Sequence, residues 1–243
     1  MEKTYELMPN AKMLLSSLRS VGYTEETAIA DIVDNSISSG ANTIQLYFDW
    51  DDQAILIADN GKGMQKKELL DSMKIGSSDP RVTRGASDLG RFGMGMKTAS
   101  FSLGKQILVI TKQKDEINNA EWNLEYVENE DKWEILIHSD EKIDTYIKSK
   151  TDKIEFQNWD EGTLISLSML DKLIDENNMQ KSKVKFYKTV EKVKKHLAMI
   201  FHRFIEEDNL QIYVNKNLLE AWNPFIRQNP ATMELACEEL FDG

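Results

Sequence analysis

Asp31 and Asn35 stand four residues apart in ADIVDNSISSGA, so on a helix they share one face, one turn apart. A carboxylate and an amide oxygen so placed could polarise a water and donate to magnesium, which prefers oxygen ligands. Capping or plain solvation would explain the same pair without chemistry. Asp59 closes the apolar run AILIAD and is followed by Gly61, Gly63 and Met64 in NGKGM. A carboxylate ending a buried strand can accept a hydrogen bond from an exocyclic amine, and glycines let the backbone approach a planar ring. A tight Asx turn is the competing reading. In GRFGMGMKT, Gly90, Phe92, Gly93, Met94, Gly95 and Met96 lead into Lys97 and Thr98. Successive amides at a glycine-rich helix start form an anion site, and Lys97 is placed to reach a phosphate. The run matches neither a Walker loop, because Met96 precedes the lysine, nor a Rossmann loop, because it does not follow the first strand. Thr163 after Gly162 opens a late strand and is unremarkable alone.

Elements must hold these residues in place. Pro9 to Val21 is predicted as a helix with Met13, Leu14, Leu18 and Val21 along one side. Thr24 is a candidate N-cap for a second helix, in which Ala28, Ile29, Ile32, Val33 and Ile37 recur at helical spacing; this helix carries Asp31 and Asn35. Ile44, Leu46 and Phe48 alternate as a strand, and Ala54 to Ala58 reads as its buried partner, with Asp59 at its end. Further strands are predicted at 106–111, 121–127, 133–138 and 163–168. Residues 74 to 90 form a polar, glycine-containing stretch, long for a plain connection; such loops are usually functional lids or disordered. Phe186, Val190, Val193, Leu197, Ile200 and Phe204 step by helical turns, and Leu210, Ile212 and Val214 alternate as a strand.

The four segments, in this order, resemble the boxes of the GHKL (Bergerat-fold) ATPase superfamily: gyrase B, the MutL proteins, the large heat-shock chaperones, histidine kinases and the microrchidia (MORC) proteins. GRFGMGMKTASFSLGKQILVITK is most similar to MORC-type and related bacterial members. The resemblance implies an α+β fold, a two-layer sandwich of a mixed, mostly antiparallel sheet covered by helices. It implies ATP as ligand with Mg2+ as cofactor, and roles residue by residue. Asn35 would hold the metal. Asp59 would read the adenine amino group, helped by Thr163 through a water, with Gly61, Gly63 and Met64 lining the base. The amides of Phe92 to Met96, with Gly90, Lys97 and Thr98, would hold the phosphates under a lid at 74–90. Asp31 would be the general base. Most members carry glutamate there; Asp31 is one methylene shorter, which predicts slow turnover or help from Asp34 or Glu26. The resemblance further implies nucleotide-gated homodimerisation in a DNA-related process, with a chaperone-like domain or an ATP switch of little turnover as alternatives. A histidine kinase would need a phosphoacceptor histidine before the ATP domain, and the chain has none there: its histidines are His138, His196 and His202.

Lys+Arg number 30 against 41 Asp+Glu, a net charge of -11, so the whole surface repels polyanions and any nucleic-acid contact must be local. One such strip exists: residues 181–203 hold eight Lys/Arg and one acid, Glu191, with Lys185, Lys188, Lys192 and Lys195 predicted to face outward. A single cysteine, Cys237, excludes a disulfide framework or a multi-cysteine zinc site. The absence of a long apolar run and of a secretory leader predicts a soluble, cytoplasmic chain without membrane contact. A polar stretch near 171–182 divides the chain into 1–172, the ATP-binding domain, and 173–243, the start of a transducer-like region that looks unfinished.

Overall fold

The computed structural model describes residues 4–5, 9–20, 22–75, 95–207, 210–225, 231 and 233, with side chains from 97 onward in the stretch that begins at 95. The first helix, α1 (Ala11–Arg19), starts where the Asn10 side chain accepts the Met13 amide at 2.9 Å. Its buried residues are Ala11 and Leu15, whereas Met13, expected on the apolar side, is exposed. Thr24 caps α2 (Glu25–Ser38) through a reciprocal box with Thr27, and Ala28, Ile29, Ile32 and Val33 are buried as their spacing requires. β1 (Thr43–Asp49) and β2 (Ala54–Asp59) form a hairpin, followed by α3 (Lys66–Met73) and α4 (Gly95–Leu103). Then come β3 (Gln106–Gln113), β4 (Glu116–Asn123), α5 (Leu124–Glu130), α6 (Asp140–Lys148) and β5 (Gly162–Ser168). The described chain continues through α7 (Met179–Ile200), α8 (His202–Glu207), β6 (Gln211–Val214) and β7 (Asn217–Leu218).

These strands make one mixed seven-stranded sheet in the order β4-β3-β5-β2-β1-β6-β7. Only the β1–β6 pair is parallel. The register places main-face residues in rows. Phe48, Ile55, Leu167, Ile107 and Trp122 form one row, and Leu46, Ile57, Ile165, Val109 and Ala120 the next. Both rows are apolar and buried beneath residues of α1, α2, α3, α4, α5 and α7. The third row, at the end of the sheet, turns polar: Ile44, Asp59, Thr163, Thr111 and Asn118. Side chains alternate between faces, so this polar row shares the helix-covered face with the two apolar ones. It is the place where the core stops and a polar ligand can begin.

The opposite face carries a second, smaller core. Ile143 and Ile147 of α6 and Phe156 pack on Leu56, Ala58, Leu108, Ile110 and Leu164. The sequence reading contained neither α6 nor this cover.

Two predicted strands take other forms. The strand expected at 121–127 ends at Asn123, whose side chain accepts the Tyr126 amide at 3.1 Å and starts α5. Leu124 and Val127, three apart, then enter the core from a helix rather than a strand. Residues 133–138 form no strand; they meet β4 through a single bridge, Glu121 to Leu136, and through side chains, His138 with Asn119 and Glu121 and Trp133 with Trp122. Trp133 is instead held by its indole donating to the Pro9 carbonyl at 3.3 Å. Beyond residue 172, α7 packs on α2, and β6 extends the same sheet beside β1, with Phe186, Val190, Val193, Leu197 and Ile212 in the main core. Among the described residues no helix is long and apolar enough to cross a membrane.

Candidate functional site

Asp59 is 4% exposed, at the last position of β2. The Ser36 hydroxyl donates to its Oδ2 at 2.8 Å and the Gly61 amide to its Oδ1 at 2.9 Å. Burial pushes the Asp59 carboxyl above the usual carboxylate range, against the opposing pull of the Gly61 amide, the Ser36 hydroxyl and the Thr163 amide. Ser36 lies on α2, so this bond fastens the helix bearing Asp31 and Asn35 to the strand bearing Asp59. The Lys62 amide adds a second tie, donating to the Ser39 carbonyl at 3.2 Å.

Thr163 lies beside Asp59 on β5. Gly162 before it brings β5 so close that a Cβ there would collide with the Asp59 carbonyl oxygen, and its φ of +147° disfavours a side chain as well. Gly63, at φ +63°, passes equally close to the Lys112 carbonyl. That approach lets the next amide, of Met64, donate to Thr111 Oγ1 at 2.8 Å. Thr111 in turn donates to the Gly162 carbonyl at 3.1 Å and lies 3.5 Å from Thr163 Oγ1. One buried hydroxyl therefore joins the loop after β2 to the start of β5.

Just before α2, Tyr23 donates its hydroxyl to Oδ2 of Asp31 on that helix at 2.7 Å. Burial raises the Tyr23 hydroxyl above the ordinary tyrosine value, and the hydrogen bond to Asp31 and that residue's charge add to the rise; a hydrogen bond from Thr98 opposes it. Tyr23 thus bridges α2 to α4. The Asn35 amide nitrogen donates to the Asp31 carbonyl at 2.6 Å, which leaves Oδ1 as the side-chain oxygen available to a cation. Among the described residues no three His, Cys, Asp or Glu side chains cluster to cage a metal. A lone amide oxygen instead suits Mg2+, which commonly takes one or two protein ligands plus substrate phosphates and waters. Lys97 is 3% exposed, and burial pulls its ammonium down to about 8. Its Nζ donates to the carbonyl of Lys74, the residue that follows α3.

A family model described as "Histidine kinase-, DNA gyrase B-, and HSP90-like ATPase" matches residues 23–160. That span runs from Tyr23 through the segment just before Gly162 and covers more than half of the chain. This chain belongs to that ATPase family. Among its relatives is ATPase morc-1 of Caenorhabditis elegans, 32% identical over 121 residues, or 48% of this chain and 14% of that protein. MORC family CW-type zinc finger protein 3 of Mus musculus is 29% identical over 106 residues, 42% of this chain and 11% of that protein. ATPase MORC2 of Homo sapiens is 25% identical over 119 residues, 46% of this chain and 11% of that protein. The match spans well under a fifth of the length of each of these curated relatives.

Within the ATPase fold, the first, second and last boxes expected from sequence converge. Ser36 joins Asp59 and Gly61, Asp59 adjoins Thr163, and Met64 is tied to the same end of the sheet through Thr111. Of the third box, Gly90, Phe92, Gly93 and Met94 lie outside the described residues, as do 76–90 of the expected lid; Gly95 and Met96 are described only as backbone of α4. Lys97 and Thr98 follow on that helix, both buried. Sequence reasoning missed Ser36, Tyr23 and Thr111. Ser36 had a weak signal, directly after Asn35, but a tyrosine before a helix and a threonine in a strand had none.

Proposed function

We propose that this domain binds ATP with magnesium and hydrolyses it. The reading rests above all on Asp59: a buried carboxylate, ringed by donors, in the polar row that follows two apolar rows on the helix-covered sheet face. Asp59 accepts the adenine amino group, Thr163 assists through a water, and Gly61, Gly63 and Met64 line the base. Asn35 offers Oδ1 to Mg2+, which when bound neutralises phosphate charge. Lys97, Thr98 and Gly90, with the amides of Phe92 to Met96, hold the phosphates. Asp31 takes the proton from the attacking water. One of its oxygens is already committed to Tyr23, and this observation favours slow turnover as the second reading. The test is calorimetric titration with Mg-ATP together with a phosphate-release assay.

The Lys97 role has a pH signature. A lysine that titrates at about 8 loses its charge where an exposed lysine keeps it. ATP affinity is expected to fall as pH rises through about 8, and binding there should take up a proton. The Lys97→Arg variant, charged throughout, should bind with a flat profile over the same range. Stability moves the other way. The unfolded chain holds this proton up to the ordinary lysine value, so the penalty of burying the charge is full below about 8 and is relieved as pH climbs above it. Titrations at several pH values in buffers of different ionisation enthalpy check the first effect, and thermal melts check the second.

We also propose that ATP closes the 74–90 segment and pairs two copies, and that residues 173–243, through α7 on α2, carry the nucleotide state onward in a DNA-related process. Lys188, Lys192 and Lys195 of α7 are exposed, and with Lys183, Val184 and Tyr187 they border a shallow groove. Lys185 is exposed as expected, but it is engaged with the protein: its ammonium donates to the Lys172 carbonyl at 2.5 Å and lies 3.6 Å from Glu25. Contact through Lys183, Lys188, Lys192 and Lys195 would release counterions, so duplex-DNA affinity should fall steeply with salt, and reversing the four to glutamate should abolish it. Fluorescence anisotropy at several salt concentrations, with and without an ATP analogue, reads this out. Absence of binding at low salt in both states rules out the strip.

A further inference from the structure

Thr111 has no place in the family boxes, yet its side chain sits at their junction, wholly buried at 0% exposure. A hydroxyl has one proton to donate and two lone pairs to accept with. The Thr111 proton is spent on the Gly162 carbonyl at 3.1 Å, and one lone pair takes the Met64 amide at 2.8 Å. Either hydroxyl could donate across the 3.5 Å contact with Thr163 Oγ1, but with the Thr111 proton on Gly162, whose carbonyl can only accept, Thr163 is the donor and Thr111 the acceptor. This turns the Thr163 proton back into the protein and leaves its lone pairs for the pocket. Beside it, Asp59 already accepts from the Ser36 hydroxyl and the Gly61 amide, and as a carboxylate it offers its remaining lone pairs. At the base site these two side chains therefore present acceptors.

We propose that Thr111 is a positioning residue that sets the hydrogen-bond polarity of the pocket, and so its preference for a purine with a 6-amino group over one with a 6-oxo group. The inference rests on the reading of Asp59 and Thr163 as the base site. Thr111 touches no ligand itself; it acts through Thr163 and through the Met64 loop. A 6-amino group, or a water held by the base, donates to these acceptors. A 6-oxo group sets acceptor against acceptor, and a buried polar group without a partner is costly.

The experiment measures affinities for Mg-ATP and Mg-ITP, whose bases differ at this position, by calorimetry on the wild-type chain, Thr111→Val and Thr111→Ser. The wild type should prefer ATP. Thr111→Val keeps the shape but removes the hydroxyl, and should lose about tenfold of that preference, the size of one hydrogen bond. Thr111→Ser restores the hydroxyl and should restore the preference. Amide exchange at Met64 without nucleotide should quicken in Thr111→Val and not in Thr111→Ser; if the valine variant does not fold, Thr111→Ala serves in its place. Faster Met64 exchange with an unchanged ATP-to-ITP ratio would reduce Thr111 to a loop anchor and overturn the inference. A wild type that binds ATP and ITP equally overturns it while leaving nucleotide binding intact. A wild type that binds neither overturns the ATP reading itself, and the inference with it.

Discussion

Asp59→Asn is expected to remove measurable ATP binding while leaving the domain folded. Two effects add. The charge-assisted bond to the adenine amine is lost, roughly 1.5–3 kcal/mol for a bond to a charged group. The new amide nitrogen must also point at a donor, whether Ser36, the Gly61 amide or the ligand amine, and an unsatisfied buried donor costs about 1–3 kcal/mol more. Together these amount to a loss of about a hundredfold or more. The fold should survive, because the substitution also removes a desolvated charge that burial already disfavours. Calorimetry on both proteins, with matching circular dichroism and melting curves, tests this. Equal affinities would take Asp59 out of the base pocket. The raised carboxyl has a pH consequence too. Affinity should fail on acidification at a higher pH than an ordinary carboxylate would dictate, since the protonated form accepts more weakly.

Asp31→Ala should separate binding from turnover. A general base acts on the attacking water rather than on the nucleotide, so ATP affinity should stay within about twofold while hydrolysis falls by at least about a hundredfold, the lower bound of general-base contributions. Asn35→Ala is the contrasting control: it removes the amide oxygen offered to Mg2+ and should weaken binding only when the metal is present. Single-turnover phosphate release beside equilibrium titration distinguishes the two. If Asp31→Ala hydrolyses ATP at the wild-type rate, the base lies elsewhere and Asp34 and Glu26 become the residues to substitute. The bond from Tyr23 to Asp31 makes this comparison informative, because the geometry of the base depends on a tyrosine that bridges α2 to α4.

Much of the site could be read from the chain alone because its signals are local. Asp31 and Asn35 share a face by helical arithmetic, and Thr24 caps their helix because its side chain reaches a nearby amide. Asp59 ends a strand that alternation and an apolar run define within a few residues, and the order of the four glycine-bearing segments carried the family. Non-local chemistry stayed hidden. That Ser36 fastens α2 to Asp59, that Tyr23 meets both Asp31 and Thr98, and that Thr111 lies against Thr163 all depend on residues brought together in space. Residues 121–138 misled for the same reason. Their apolar spacing suits a strand, but the Asn123 cap and the tie from Trp133 to Pro9 decide their path, and neither leaves a periodic trace. The division drawn at 172 followed a polar stretch, while the sheet runs across it, since the edge of β1 offers β6 a partner that composition cannot register. Local propensity and spacing determined the helix bearing Asp31 and Asn35, the strand ending at Asp59 and the order of the boxes; strand register and helix packing decided α6, the path of 121–138 and which side chains meet, because a hydrogen bond depends on position in space rather than on separation along the chain.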